Sequence, residues 1–497
     1  MSNSTSIYAK QNPKIHEIFE RAGHFKKVLA VALDYAKSKH MVLFCNGLGD
    51  VLKKPFPIEN SSKGLEVLLQ EVHSTCQHRG IQTEHVFFGG EDRPTYAENF
   101  INQICQKGFL VVRVNAWEAK RQRDNHQAST DQLDLRGIAK TMLQQCSYSE
   151  SDRSSTHQNL REISRCRSYL VGEQTAFKLH IHGYIDRLFP GFLDPRKSGI
   201  TPFSTASLAL MSNGFSAEQI GRRRLRSLVA ELERHSVAEP ESAAQKLQQF
   251  AREALPAEPK HLNTWQASLQ QCVGLYQQFN QSILALDKDL AHWLAMSPGA
   301  LLTSIRGIGV VLAAGIVAEI GDPAQWRGLR QSCSYVGIVP GVEQTGGPDK
   351  PALTTPVKRR CNRRAKNWVV QAASQMGKHG PSPLHEQYRQ LVDNGQHADF
   401  VMSRRLLRIG KDLMRRGSVY RPKELLDPNT PLPRLANYYQ ELWPALLEKW
   451  SGLLEWDHLF NSQYPLGQWR QMVQELYRIC LPLPSEPGRF NSAGSRR

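Results

Sequence analysis

The chain has 497 residues, with 63 Lys and Arg against 46 Asp and Glu, so it is too long for one hydrophobic core and implies two or three domains. Its net charge of +17 favours a polyanionic partner, nucleic acid first, because each Lys or Arg seated on a phosphate releases condensed counterions. Nine scattered cysteines without a C-x-x-C pair argue against disulfide and zinc scaffolds, and the absence of a signal design or a membrane-length apolar run points to a soluble protein of a reducing cytosol.

Residues 28–34, Val-Leu-Ala-Val-Ala-Leu-Asp, and 40–46, His-Met-Val-Leu-Phe-Cys-Asn, read as the two strands of a hairpin, with a third strand near 51–56. A helix over about 62–78 leads to a buried strand, His85-Val-Phe-Phe-Gly-Gly, that runs directly into Glu91. A helix over about 94–107 and a strand over 109–115 follow. Strands first antiparallel, then alternating with helices, predict a mixed α/β sheet covered by helices over residues 25–150.

Thr130 can cap a helix starting at Asp131, because Leu135, Ile138, Ala139 and Met142 then share one stripe. Asp131 and Asp134 are three apart on that helix and repel each other unless a cation lies between them. Acids in a first turn also complement the helix dipole, which is the blander reading. Asp34 and Glu91 end central strands, where open sheets gather their active groups. Singly, Asp34 could be a turn former and Glu91 a solvated loop residue. Four carboxylates at one sheet edge would instead suit two divalent ions about 3.5 to 4 Å apart acting on a phosphodiester.

After a serine-rich stretch at 147–156, helices dominate to about Leu294, giving a helical spacer over 151–295. Trp265, Leu269, Cys272, Tyr276, Phe279, Ile283, Leu286, Leu290 and Trp293 alternate steps of four and three, a heptad seam that fits either an intermolecular coiled coil or a folded-back helical hairpin. Residues 240–259, bounded by prolines, read as a surface linker around one short helix. The run Leu301 to Gly321 has the form of a helix-hairpin-helix in which Gly307 and Gly309 allow a tight turn whose amides can face a phosphate; close helix packing is the competing role for these glycines.

Downstream, Lys358, Arg359, Arg360, Arg363, Arg364 and Lys366 precede an apolar helix from Trp368, and Arg404, Arg405, Arg408, Lys411, Arg415 and Arg416 form a second basic face. Both suit phosphate contact rather than base reading. A C-terminal region over 296–420 would then be followed by an extension, 421–497, of proline turns and Trp-containing helices around Trp443, Trp450, Trp456 and Trp469, ending in a disordered tail.

The order Asp, Glu, Asp-x-x-Asp resembles the DEDD transposases of the insertion-sequence-110 family, related to pilin-gene inverting recombinases. The resemblance lies in Leu33-Asp34-Tyr35-Ala36-Lys37, in Glu91 with Tyr96 five residues on, and in Lys120 with Thr130-Asp131-x-x-Asp134. It continues in Gly337-Ile-Val-Pro340, Thr345-Gly346 and Lys358-x-x-x-Asn362. Ala32 stands where glycine is usual, Glu91-Asp92-Arg93-Pro94 replaces a Glu-Ala-Thr-Gly, and Thr345 stands where the family has its nucleophilic serine. The resemblance implies a RuvC-like, ribonuclease-H-type fold and Mg²⁺ or Mn²⁺ at Asp34, Glu91, Asp131 and Asp134. It also implies a hydroxyl nucleophile, here Thr345, that links covalently to a DNA strand, with the acids and hydroxyl lent by neighbouring subunits.

It further implies double-stranded DNA at element ends and target as partner, a structured guide RNA, assembly as a dimer or tetramer, and a place in the bacterial cytosol or nucleoid. Lys120, Gly307, Gly309 and the basic residues above would hold nucleic acid. The expected activity is cutting and rejoining of DNA. Two rivals are a junction-resolving nuclease in which metal-bound water attacks and Thr345 is a bystander, and an inactive transposase kept as a nucleic-acid-binding protein.

Overall fold

Five of the six residues of Leu29–Asp34 are fully buried in the computed structural model, so this strand, β1, lies inside a sheet covered on both faces. The structure describes residues 12–91, 94–124, 130–145, 147–149, 155–321, 328–343, 353–357, 361–380, 382–417, 419–420, 449–450 and 452–453. The chain divides into two compact units, 1–154 and 155–497. The spacer and the transposase-like region read separately from the sequence share the second of them.

In the first unit, β1 is followed by β2 (Lys39–Asn46), β3 (Val51–Glu59), β4 (Val86–Glu91), β5 (Leu110–Val114) and the short β6 (Tyr148–Ser149), in the order β3-β2-β1-β4-β5-β6. β1, β4 and β5 are mutually parallel, whereas β2, β3 and β6 run antiparallel to their neighbours. The chain leaves β1 toward one edge and returns through α2 (Ser62–Arg79) to place β4 on the other side. The β1/β4 boundary is therefore where the strand order reverses, the usual place for a ligand in an open sheet.

Alternation along the strands separates two cores. Leu29, Val31, Leu33 and Phe88 face α2 and α3 (Pro94–Gln106), while Ala30, Ala32, Phe87 and Val112 face α1 (Pro13–Ala22), α4 (Ala116–Arg121) and α5 (Asp131–Leu143). The expected mixed sheet with flanking helices is what the chain forms. β3 runs three residues beyond the expected end, because Lys39 to Val42 of β2 continue the ladder to Glu59.

The second unit begins with α6 (Ser155–Leu188), passes through α7 (Pro195–Ser198), α8 (Thr205–Ser212), α9 (Ala217–Arg222), α10 (Leu225–Arg234) and α11 (Pro240–Glu253), and returns along α12 (Leu262–Ala295). α6 and α12 are antiparallel: Arg167 pairs with Asp287, Gln174 with Asn280, Phe177 with Phe279, and Arg187 lies over Trp265. Leu269, Tyr276, Ile283 and Leu290 of the heptad seam are thus buried inside one chain, as a folded-back hairpin. The helix over 240–253 is not a surface linker. Its small residues Ala243, Ala244 and Ala251 flank Leu247 in a buried stripe, which lets it lie close against α9 and α10.

Beyond α12, a 3-10 turn over Pro298–Ser304 leads to α13 (Val310–Ile320), α14 (Leu329–Val336), the hairpin β7 (Pro340–Glu343) and β8 (Leu353–Val357), α15 (Arg363–Lys378), α16 (Pro383–Asp393) and α17 (Ala398–Arg416). Leu160 of α6, the end of α12 and these helices share one apolar core.

Candidate functional site

Asp34 and Glu91 are the last residues of β1 and β4. The parallel register runs from Leu29 with Val86 to Leu33 with Gly90, so the two acids are the next pair along it. Adjacent strands are about 4.8 Å apart. Strand alternation turns both acids toward the α5 face, with Ala32 and Gly89 two residues earlier. Glu91 is buried at 5% exposure and Asp34 is half-buried. A carboxylate that close to a second one and removed from water needs compensating positive charge.

α5 packs on the same face. Its last turn reaches across the sheet: Met142 lies against Gly89, where a Cβ would come 2.8 Å from its sulfur, and Leu143 reaches Gly49 in the β2–β3 turn. Thr130 caps the helix as expected, its Oγ1 accepting from Leu133 N at 3.4 Å. Gly89 permits this close packing, since a side chain there would strike Met142, while Gly90 makes room for the Tyr35 ring of the other core.

Asp131 is exposed, and Asp134 is ion-paired with Arg123, its Oδ1 2.5 Å from Nη2, with both side chains at most 15% exposed. Among the described residues, no three Asp, Glu, His or Cys side chains form a group that could hold a metal ion. Asp34 and Glu91 supply the donor chemistry for a divalent cation. Asp134 meets Arg123 instead, a residue that sequence reasoning missed because its partner lies eleven positions away in the chain. Nearby, Asp124 bonds Lys140 and Arg136, which hold its carboxyl below the usual range. Lys120 is exposed on α4.

In the second unit the two turn glycines have different roles. Gly307 has φ +87°, and a Cβ there would come 2.7 Å from the Gln375 carbonyl, so backbone conformation and contact with α15 both require glycine. Gly309 is the N-cap of α13, has no side-chain cap, and has open space around the position of a Cβ. Its helix therefore presents uncapped amides beside exposed Arg306.

The 3-10 turn before it is fastened by residues from far along the chain. Lys449 Nζ donates to the carbonyls of Thr303 and Ile305, Trp450 Nε1 to Thr303 Oγ1 at 3.2 Å, and Tyr420 N to Ser304 Oγ at 2.8 Å. Burial, and secondarily Arg306, pulls the Lys449 ammonium down to about 8.

Arg363 and Arg364 are exposed at the start of α15. Arg404 and Arg408 are exposed on α17, and half-buried Arg405 bonds Gln387. Thr345, Lys358, Arg359 and Arg360 lie outside the described residues, as do Trp443, Trp456 and Trp469. Trp450 is buried at 1% exposure.

A sheet with this strand order and acids ending its two central strands in one unit, and an amide-presenting turn with basic helices in the other, suit a nucleic-acid-processing class of protein. Family models support this: one for the DEDD transposases of insertion sequence 110 matches residues 31–190, and one described as "Transposase IS116/IS110/IS902 family" matches residues 299–389. The chain belongs to the insertion-sequence-110 family of transposases. A stretch of 97 residues is 27% identical to the protein of Sinorhizobium fredii (strain NBRC 101917 / NGR234) called "Putative transposase y4qE"; the stretch spans 20% of this chain and 24% of that one. No helix among the described residues is long and apolar enough to cross a membrane.

Proposed function

We propose that the protein is a DNA transposase or recombinase that cuts and rejoins strands, with Asp34, Glu91, Asp131 and Asp134 as its carboxylate site and Thr345 as its nucleophile. The observation that supports this reading is the pairing of Asp34 with Glu91 at the point where the strand order reverses, on the face that α5 covers. Mg²⁺ or Mn²⁺ held there would polarise the scissile phosphate. The carboxylates orient the phosphate and take the proton of the attacking hydroxyl. An oxygen–phosphorus bond to Thr345 forms, the strand's own phosphorus–oxygen bond breaks, and the released oxygen is protonated. The uncapped turn at Gly309, Lys120 and the basic residues from Lys358 to Arg364 and Arg404 to Arg408 hold the duplex by its backbone.

A net charge of +17 accommodates a guide RNA beside the DNA. Subunits of a dimer or tetramer would complete one another's sites. The test is to purify the protein with its copurifying RNA, sequence that RNA, and incubate the complex with labelled matching duplex and Mg²⁺. Denaturation-resistant protein–DNA adducts should form with the wild type and vanish in Thr345→Ala and Asp34→Asn. Cleavage that persists undiminished in Thr345→Ala would assign the attack to water and make the protein a junction-resolving nuclease. Tight binding with no Mg²⁺-dependent cleavage would identify a retired transposase.

A further inference from the structure

Glu319, on the last turn of α13, is almost dry, its side chain 1% exposed. Arg165 of α6 grips both carboxylate oxygens, Nε to Oε1 at 2.8 Å and Nη2 to Oε2 at 3.1 Å, and Arg161 lies 4.0 Å away. Asn362 Nδ2 donates to Oε2 at 2.9 Å and to the Tyr335 hydroxyl at 2.7 Å, while that hydroxyl donates to the Glu319 carbonyl at 3.2 Å. Asn362 also gives its backbone N–H to the Tyr335 carbonyl at 2.9 Å, and its Oδ1 caps α15 through Ala365 N at 3.0 Å.

Tyr335 and Asn362 are the two ends of one excursion of the chain. Tyr335 precedes the first residue of β7, Pro340, by five positions, and Asn362 follows the last residue of β8, Val357, by five; Pro340 and Val357 pair with each other. β7 and β8 leave from and return to this point, and Thr345 lies between them in the sequence. A buried ion pair is a poor device for stability, because apolar residues of the same volume do as well without the desolvation cost. What it provides is direction: a bidentate guanidinium and a doubly used amide allow one arrangement where an apolar contact allows several.

We infer that Glu319 is a positioning residue for the β7–β8 hairpin, tying both of its roots, through Tyr335 and Asn362, to the first turns of α6. The importance of this for strand transfer rests on the reading that the hairpin delivers Thr345. The residue touches no reacting atom and acts through Asn362.

Hydrogen exchange on the full chain tests the tie without any substrate. In Glu319→Gln, and independently in Asn362→Ser, which keeps an N-cap but loses both amide donors, amides of 341–343, 353–355 and 357 should exchange at least tenfold faster. Those of 310–320 should accelerate by a clearly smaller factor than the hairpin. Unchanged hairpin exchange in both variants, or an equal acceleration of α13, would overturn the inference. The second measurement is the rate of adduct formation on saturating labelled duplex. It should fall at least tenfold while affinity for a random-sequence duplex stays within twofold, and an unaltered rate would overturn the role in positioning. A wild type that forms no adduct would refute the proposed function and leave the exchange result to decide the tie.

Discussion

Asp34 and Glu91 sit side by side at the ends of two parallel strands, the next pair after Leu33 and Gly90, and α5 packs on the face they share. Two acids that close suit a divalent cation between them. Asp34→Asn and Glu91→Gln should each reduce Mg²⁺-dependent strand cleavage about a thousandfold, corresponding to several kcal/mol of transition-state stabilisation. Thermal midpoints should hold or rise slightly. Thermal melts beside cleavage assays measure both, and a variant that melts earlier yet cleaves normally would remove its acid from the site.

Arg123 occupies the negative charge of Asp134. If Asp134 is a metal ligand, that guanidinium competes with the metal. Arg123→Gln should therefore tighten Mn²⁺ binding several-fold by titration calorimetry, in line with about 1 to 3 kcal/mol for a close charge pair partly removed from water. Weaker binding in the variant would show that Arg123 supports the site rather than blocks it.

The two turn glycines should separate folding from binding. Gly307→Ala puts a side chain into the Gln375 carbonyl at a positive φ and should cost about 2 to 4 kcal/mol of stability. Gly309→Ala meets nothing within 4 Å, so it should fold like wild type. Its methyl would stand where a phosphate approaches the α13 amides, weakening binding to a random-sequence duplex. Denaturant melts and fluorescence anisotropy distinguish the two outcomes; equal duplex affinity in folded Gly309→Ala would leave that turn without a ligand.

Lys449 makes stability depend on alkaline pH. Its ordinary value is 10.5 and its folded value about 8. Between those values the unfolded chain keeps a proton that the folded chain has shed, so folding stability rises with pH through the window, by at most about 3 kcal/mol. Below pH 8 both states are protonated and the full cost of burying the charge is present. The neutral amine keeps two N–H donors for the Thr303 and Ile305 carbonyls. Lys449→Met should flatten the rise between pH 8 and 10, as followed by urea midpoints; an undiminished rise would assign the dependence to other groups.

Glu319 shifts the other way. Burial raises its carboxyl, but hydrogen bonds from Arg165 and Asn362 outweigh it and leave the group below its ordinary value of 4.5. Its contribution is present above pH 4.5 and is lost as pH falls through the lowered folded value. Glu319→Gln should be destabilised at pH 7 by about 3 to 5 kcal/mol, the cost of stranding the partner of a buried pair, and should lack that part of the acid loss. Parallel stability curves for wild type and variant below pH 4.5 would refute it.

Local chemistry in the sequence was enough to read that Asp34 and Glu91 end their strands, that Thr130 caps α5, and that α5 buries Leu135, Ile138, Ala139 and Met142. Strand alternation, capping oxygens and a 3.6-residue stripe act over a few residues and are written there directly. The heptad seam of α12 was equally legible as a stripe, but not its partner. A helix from another molecule and α6 of the same chain bury identical residues, and only the fold placed Arg167 on Asp287. The same holds for 240–253, where prolines at both ends looked like a linker and the buried alanines acquired meaning only against α9 and α10. Arg123 on Asp134, Arg165 on Glu319 and Lys449 on Thr303 had no local signature, because a charge has no periodicity and its partner can stand anywhere along the chain. Tertiary structure alone decided these contacts, since burial, not sequence distance, determines which charges must find one another.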